Sequence, residues 1–107
     1  MEAHFKHLIT ISFNYDFELL EPLHQLGDRL TYILDQSGIG FYEGHEMSKD
    51  ADGEGQIYIL ASNAEKVYKL IEPVLFKVDW MNGAMVQLQF KKHSGLTKSI
   101  EFMLEKV

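Results

Sequence analysis

Apolar and polar residues alternate near the start of the chain, and a longer repeat then replaces the alternation. Over residues 5–13 the odd positions, among them Ile9 and Ile11, form one side of a period-two pattern. That period is typical of a half-buried strand. From Leu19 onward, leucine and isoleucine recur every three or four positions, which predicts a helix. Pro22 can stand only in its first turn, and Gly38 is placed to end it in a left-handed conformation.

The remaining patterns predict a second helix and four more strands. The helix begins at Ser62-Asn63-Ala64-Glu65, where the serine fits the N-cap of a capping box, and Pro73 should kink or end it. Asn82-Gly83 is a turn signal. Period-two segments bounded by such turn residues predict strands over residues 40–47, 56–61, 84–91 and 97–104.

The order of these elements is strand, helix, strand, strand, helix, strand, with one strand added at the end. Two right-handed crossovers of this kind put both helices on one face of a single sheet. The pattern therefore predicts an α+β class and resembles the ferredoxin-like α/β plait, with an antiparallel sheet of order 5-4-1-3-2. Residues 1–107 are expected to form one domain, because this length supports one core and leaves no room for a second.

Composition and charge narrow the classes of function. The chain is 46% hydrophobic and 24% charged, as in ordinary globular proteins, and its net charge is −6. An acidic chain argues against nucleic-acid binding, which draws its affinity from Lys and Arg on phosphates. No cysteine is present, so disulfides and thiolate chemistry are excluded. Because polar residues break the apolar N-terminal segment, we expect neither a signal peptide nor a membrane span, and we interpret the protein as cytoplasmic.

Residues 43–58 hold five carboxylates against one lysine, a local charge of −4. Asp50, Asp52 and Glu54 stand at positions 1, 3 and 5 of a segment that resembles a calcium-binding loop, and they are its candidate metal ligands. The bidentate glutamate needed at position 12 is missing, because Ala61 stands there. We interpret the segment as a hairpin connection and expect no cofactor.

His45 and Glu46 are the candidates for acid–base catalysis. Adjacent strand residues point to opposite faces, so these two should not meet, and His45 should share a face with Glu43 and Met47. A catalytic histidine needs an orienting partner and a held reactant, and spacing alone indicates neither. The phosphate-binding loop, the dinucleotide fingerprint and the nucleophile elbow are also absent from the sequence.

The sheet face away from both helices is the second candidate site. It carries more apolar residues than a solvated face needs, and contiguous apolar patches mark interfaces. Pairing of two such faces in a symmetric homodimer is one use; in a monomer, the last strand and the loops would cover part of the face. The residues expected on this face are Leu8, Thr10, Ser12, Tyr58, Leu60, Met85, Gln87, Gln89 and Met103, and those expected to carry the interface are Leu8, Thr10, Tyr58, Leu60, Met85 and Gln87.

One resemblance accompanies these patterns. Gly44-His45-Glu46, Asp52-Gly53-Glu54-Gly55, Tyr58 and the segment 64–75 resemble small bacterial proteins of the ferredoxin-like plait to which no activity is attached, so no functional residue carries over. We expect a non-enzymatic binding or regulatory module that acts through a protein partner or a small ligand, as a homodimer. The alternative is a small enzyme or divalent-metal-binding protein that uses His45 and the acidic hairpin 43–54.

Overall fold

Strands and helices follow the predicted order in a computed structural model that describes residues 6–15, 21–47, 53–91 and 97–104. The class is α+β, as predicted, with two α-helices and a five-stranded antiparallel sheet in the described residues. A short 3-10 turn, Asp79–Met81, precedes the fourth strand. The elements are β1 (His7–Asn14), α1 (Glu21–Ser37), β2 (Gly40–Met47), β3 (Glu54–Ala61), α2 (Ala64–Phe76), β4 (Met85–Lys91) and β5 (Thr97–Met103).

The sheet has the strand order β2-β3-β1-β4-β5, and each pair of neighbours is antiparallel. Counted from the β5 edge, the order reads 5-4-1-3-2. The first strand is central, so that Ile9 lies opposite Ile59 on one side and Leu88 on the other. The two outer strands, β2 and β5, form the edges.

One hydrophobic core lies between the sheet and the helices. The side chains of Ile9 and Ile11 in β1 are fully buried, as are those of Ile57 and Ile59 in β3. Because successive strand residues point to opposite faces, these side chains all lie on the same face of the sheet. Both helices add to the same cluster, α1 through Leu23, Leu26, Leu30 and Leu34, and α2 through Ala64, Val67, Tyr68, Ile71 and Leu75. The helices therefore cover one face of the sheet and leave the other uncovered by either of them.

The C-terminal end of α1 agrees with the sequence, and the N-cap of α2 differs from it. Gly38 follows α1 with φ of +70°, as predicted, and Pro22 is next to Glu21, the first described residue of the helix. The N-cap of α2 is Asn63, not Ser62: the Asn63 side chain accepts the backbone N–H of Lys66. The Ser62 hydroxyl instead donates to the Ile39 carbonyl oxygen at 3.1 Å, which directs its side chain toward the start of β2.

Pro73 lies inside α2 and does not end it, because the helix continues to Phe76. Proline has no backbone N–H, so the carbonyl of Lys69, one turn earlier, loses its helical hydrogen-bond partner. Both Lys69 and Pro73 are exposed. That carbonyl can therefore bind water, which lowers the cost of the missing bond. Neither described helix has the length and apolar content that crossing a bilayer requires.

Tyr68 joins α2 to the far edge of the sheet. Its ring meets the ring of Phe102 in β5 edge to face, with centroids 5.0 Å apart. Burial raises the pKa of the Tyr68 hydroxyl, and the carboxylate of Glu72 raises it further by accepting its hydrogen bond and by its negative charge. The folded chain therefore holds this proton to a higher pH than the unfolded chain does.

Candidate functional site

The uncovered face of the sheet, called the open face below, brings together all six residues predicted to carry an interface. They alternate with buried core residues such as Ile9 and Ile11, so they point away from both helices. The strand register places them side by side. Across β3, β1 and β4, the open face has three rows: Leu60, Leu8 and Gln89; Tyr58, Thr10 and Gln87; Gln56, Ser12 and Met85.

Two apolar clusters lie at diagonally opposite corners of the open face. At one, Phe41 of β2 lies opposite Leu60, which lies opposite Leu8; we call these three residues the phenylalanine corner. At the other, Met85 of β4 lies opposite Met103 of β5; these two are the methionine corner. Phe41 is 48% exposed, Met85 42% and Met103 51%. Folding of a single chain therefore leaves a large part of each of these side chains in water.

Polar side chains linked by hydrogen bonds separate the corners. The Tyr58 hydroxyl donates to Gln56 Oε1 at 2.5 Å, and Gln56 Nε2 donates to Ser12 Oγ at 3.3 Å. Partial burial of the ring and the negative charge of Glu46 raise the pKa of Tyr58, so the hydroxyl keeps its proton at neutral pH. The middle of the face is thus a neutral hydrogen-bonding strip with Glu46 at its edge.

A β-bulge in β2 decides which residues of that strand join the open face. The register shifts between Tyr42 and Gly44, and Gly44 has φ of +140°, a conformation that favours glycine. Before the bulge, Phe41 lies opposite Leu60 on the open face; after it, His45 lies opposite the buried Ile57 on the helix side.

The bulge changes part of what simple alternation predicts for β2. His45 and Glu46 are on opposite faces, as expected, because Glu46 lies opposite Gln56 of the open face. His45 and Met47 share the helix side, also as expected. Glu43 is exposed and falls at the register shift, so strict alternation does not place it with them. Alternation alone also fails to place Phe41 on the open face. Gly44 is the residue in the sequence that indicates where the alternation of β2 is interrupted.

His45 has neighbours that sequence spacing did not indicate. Its Nδ1 lies 3.2 Å from the Tyr42 hydroxyl, and its ring centroid lies 5.7 Å from that of His24 in α1. Burial raises the pKa of Tyr42, and the negative charge of Asp28 raises it further. Tyr42 therefore serves as a neutral hydrogen-bond partner of the imidazole. The pair can share a proton, but a reaction also needs a nucleophile or a held water.

The acidic hairpin is described only in part. Asp50 and Asp52 lie outside the described residues, and Glu54 begins β3, exposed, opposite Asn14. Within the described parts of the chain, no three His, Asp or Glu side chains lie close enough together to hold a metal ion. Glu54 therefore belongs to the strand and not to the connection. For Asp50 and Asp52 the hairpin connection stays a prediction.

Comparison of the chain with protein-family models, with curated proteins and with solved structures finds no match in any of the three. Function must therefore be argued from this chain's own residues. Among the described residues, the open face and the Tyr42–His45 pair are the two places where side-chain chemistry suggests a role.

Proposed function

We propose that this chain is a small, non-enzymatic binding module whose interface is the open face of its sheet, and that it acts as a homodimer. The observation that carries the proposal is the exposure of Phe41, Met85 and Met103 on one face. Apolar surface gains roughly 25 cal/mol per Å² when it leaves water. A second sheet face would supply that burial, and a face that repeats in every copy is suited to two-fold pairing.

We further infer that the fold is the ferredoxin-like α/β plait with an added C-terminal strand. The strand-helix-strand-strand-helix-strand order, the antiparallel neighbours and the placement of both helices on one face support this inference. In such an arrangement one sheet face is free for partners, which fits a binding module. The absence of cysteine fits the cytoplasmic, reducing location that we propose with it.

The competing function is a small enzyme or divalent-metal-binding protein that uses His45 and the acidic hairpin 43–54. The observation in its favour is the 3.2 Å contact between His45 Nδ1 and the Tyr42 hydroxyl, which would orient the imidazole. We place it second because Glu46 lies on the opposite face from His45, so the two do not form an acid–base pair.

Two variants separate these functions. Met85→Lys puts a charge on the open face, at a side chain that is already 42% exposed, so the monomer should still fold. Glu54→Gln removes a hairpin carboxylate without changing its size. We expect light scattering after gel filtration to show that Met85→Lys dissociates the dimer and that Glu54→Gln does not.

A titration with calcium or magnesium, followed by calorimetry, completes this test. The binding module should give no heat at millimolar metal. Saturable heat that Glu54→Gln abolishes, together with association that Met85→Lys leaves intact, would favour the competing function instead.

A further inference from the structure

The two apolar corners of the open face lie far apart, and their positions restrict how two copies can pair. Phe41 and Met103 are separated by four strand spacings across the sheet and by four residues along the strands. Those steps amount to about 19 Å and about 13 Å. The other two corners are polar: Glu46 at one and Ser99 at the other, both exposed.

If two copies stacked with their strands aligned, apolar corners would meet polar ones. With the two-fold axis along the strands, the phenylalanine corner would lie over Ser99 and Glu101 at the β5 edge of the partner. With the axis across the strands, it would lie over Glu46 and Gln56. Both arrangements would place a carboxylate opposite an apolar side chain and take the charge out of water, which is costly.

Building on the proposed homodimer, we infer that the two sheets pack face to face with crossed strands. A two-fold axis along the line that joins the two apolar corners places each corner on its own copy. A two-fold axis perpendicular to that line places the phenylalanine corner on the methionine corner. From the two distances above, the strands of the two sheets then cross at about 70°, close to the orthogonal class of sheet packing. Glu46 and Ser99 then lie near the ends of the partner's strands, at the rim of the interface.

The size of the open face fits a second copy of this chain. Five strands at about 4.8 Å spacing and about 25 Å length present roughly 600 Å² per copy. With complete overlap two copies would bury roughly 1,200 Å², which only just reaches the standard size of specific interfaces. The hydrogen-bonded strip of Tyr58, Gln56 and Ser12 would lie between the apolar contacts, where its remaining donors and acceptors can meet those of the partner.

Cysteine cross-linking at the four corners tests the crossed arrangement directly, because the natural chain contains no cysteine. The variants are Phe41→Cys, Glu46→Cys, Ser99→Cys and Met103→Cys, each at an exposed position. They are refolded together in pairs, confirmed as dimers by sedimentation, and treated with a short bis-maleimide. We expect cross-links within Phe41→Cys and within Met103→Cys, or between these two variants.

The opposite pattern overturns the inference. Cross-links from Phe41→Cys to Glu46→Cys or to Ser99→Cys would mean aligned sheets. A dimer that cross-links at none of the four corners would mean that another surface pairs. If the proposed homodimer itself is wrong, the natural chain sediments as a monomer. That result is distinct from a dimer with the wrong cross-links.

Discussion

Met103→Lys measures how much one side chain of the open face contributes to association. Full burial of a methionine side chain stabilises by about 1.5–3 kcal/mol. About half of Met103 is still exposed, 51%, so pairing can gain roughly half of that amount per copy. Two copies per dimer give about 1.5–3 kcal/mol, which corresponds to a loss of roughly 10- to 150-fold in dimer affinity.

The matched control for this variant is Ile100→Lys. Ile100 lies on the same strand, β5, and is exposed to a similar extent, 41%, but it lies opposite Leu88 and therefore on the helix side of the sheet. Both variants change the net charge of −6 by the same single unit. Any difference between them therefore reports which face pairs, and not a change in charge repulsion between copies.

The assay is a concentration series in the ultracentrifuge that yields the dimer dissociation constant for each variant. Thermal unfolding of both proteins establishes that they fold. We expect Met103→Lys to weaken the dimer by at least roughly tenfold, as estimated above, and Ile100→Lys to leave it near the natural value. Equal effects of the two variants, or a larger effect of Ile100→Lys, would refute the assignment of the open face.

Three further predictions concern the fold that supports the site. Gly44→Ala should cost about 1–3 kcal/mol of stability in denaturant unfolding, because φ is +140° while no atom lies within 4 Å of the new Cβ; a loss below about 0.5 kcal/mol would argue against strain at the bulge. Asn63→Ala should lower the free energy of unfolding by about 1 kcal/mol, because the helix cap is lost, and Ser62→Ala should lower it less. A larger loss for Ser62→Ala would mean that Ser62 is the cap. Above pH 10 the free energy of unfolding should fall as pH rises, because the pKa of Tyr68 is raised in the folded chain and its contribution, which is constant below pH 10, is then lost. Tyr68→Phe should reduce that fall and the exposed Tyr32→Phe should not; equal pH profiles would contradict the role of Tyr68.

The strands and helices were predictable because the period of apolar residues that indicates each of them lies within its own segment of the chain. Alternation around Ile9 and Ile11 is enough to predict a half-buried strand and to assign the even residues of β1 to the other face. The residues predicted for the open face follow from the same period, applied strand by strand. Pairing was not needed to place Tyr58 or Met85 on that face, only the assumption that both helices cover the opposite side.

What the sequence did not reveal depends on distances between separate elements. Phe41 joins the open face only because the bulge at Gly44 breaks the alternation of β2, and a bulge is a property of two paired strands. Likewise His45 meets Tyr42 and His24 because β2 packs beside α1. That contact cannot be predicted from residue types and spacing.

The capping residue of α2 shows how one extra hydrogen bond can override a good local pattern. Ser62 and Asn63 are both suitable caps. The structure uses Asn63, because Ser62 is bonded through its backbone N–H and its hydroxyl to the Ile39 carbonyl just before β2. That partner lies more than twenty residues away in the sequence, outside the range of any capping rule.

Sedimentation equilibrium of the natural chain at tens of micromolar tests the central claim most directly. The chain has a mass of 12.4 kDa. If the open face pairs two copies, the measured mass should approach twice that value and should rise with protein concentration. Higher salt should shift it further toward the dimer, because two chains of net charge −6 repel each other less when screened. A mass of 12.4 kDa that stays constant over the whole concentration range would contradict the proposal.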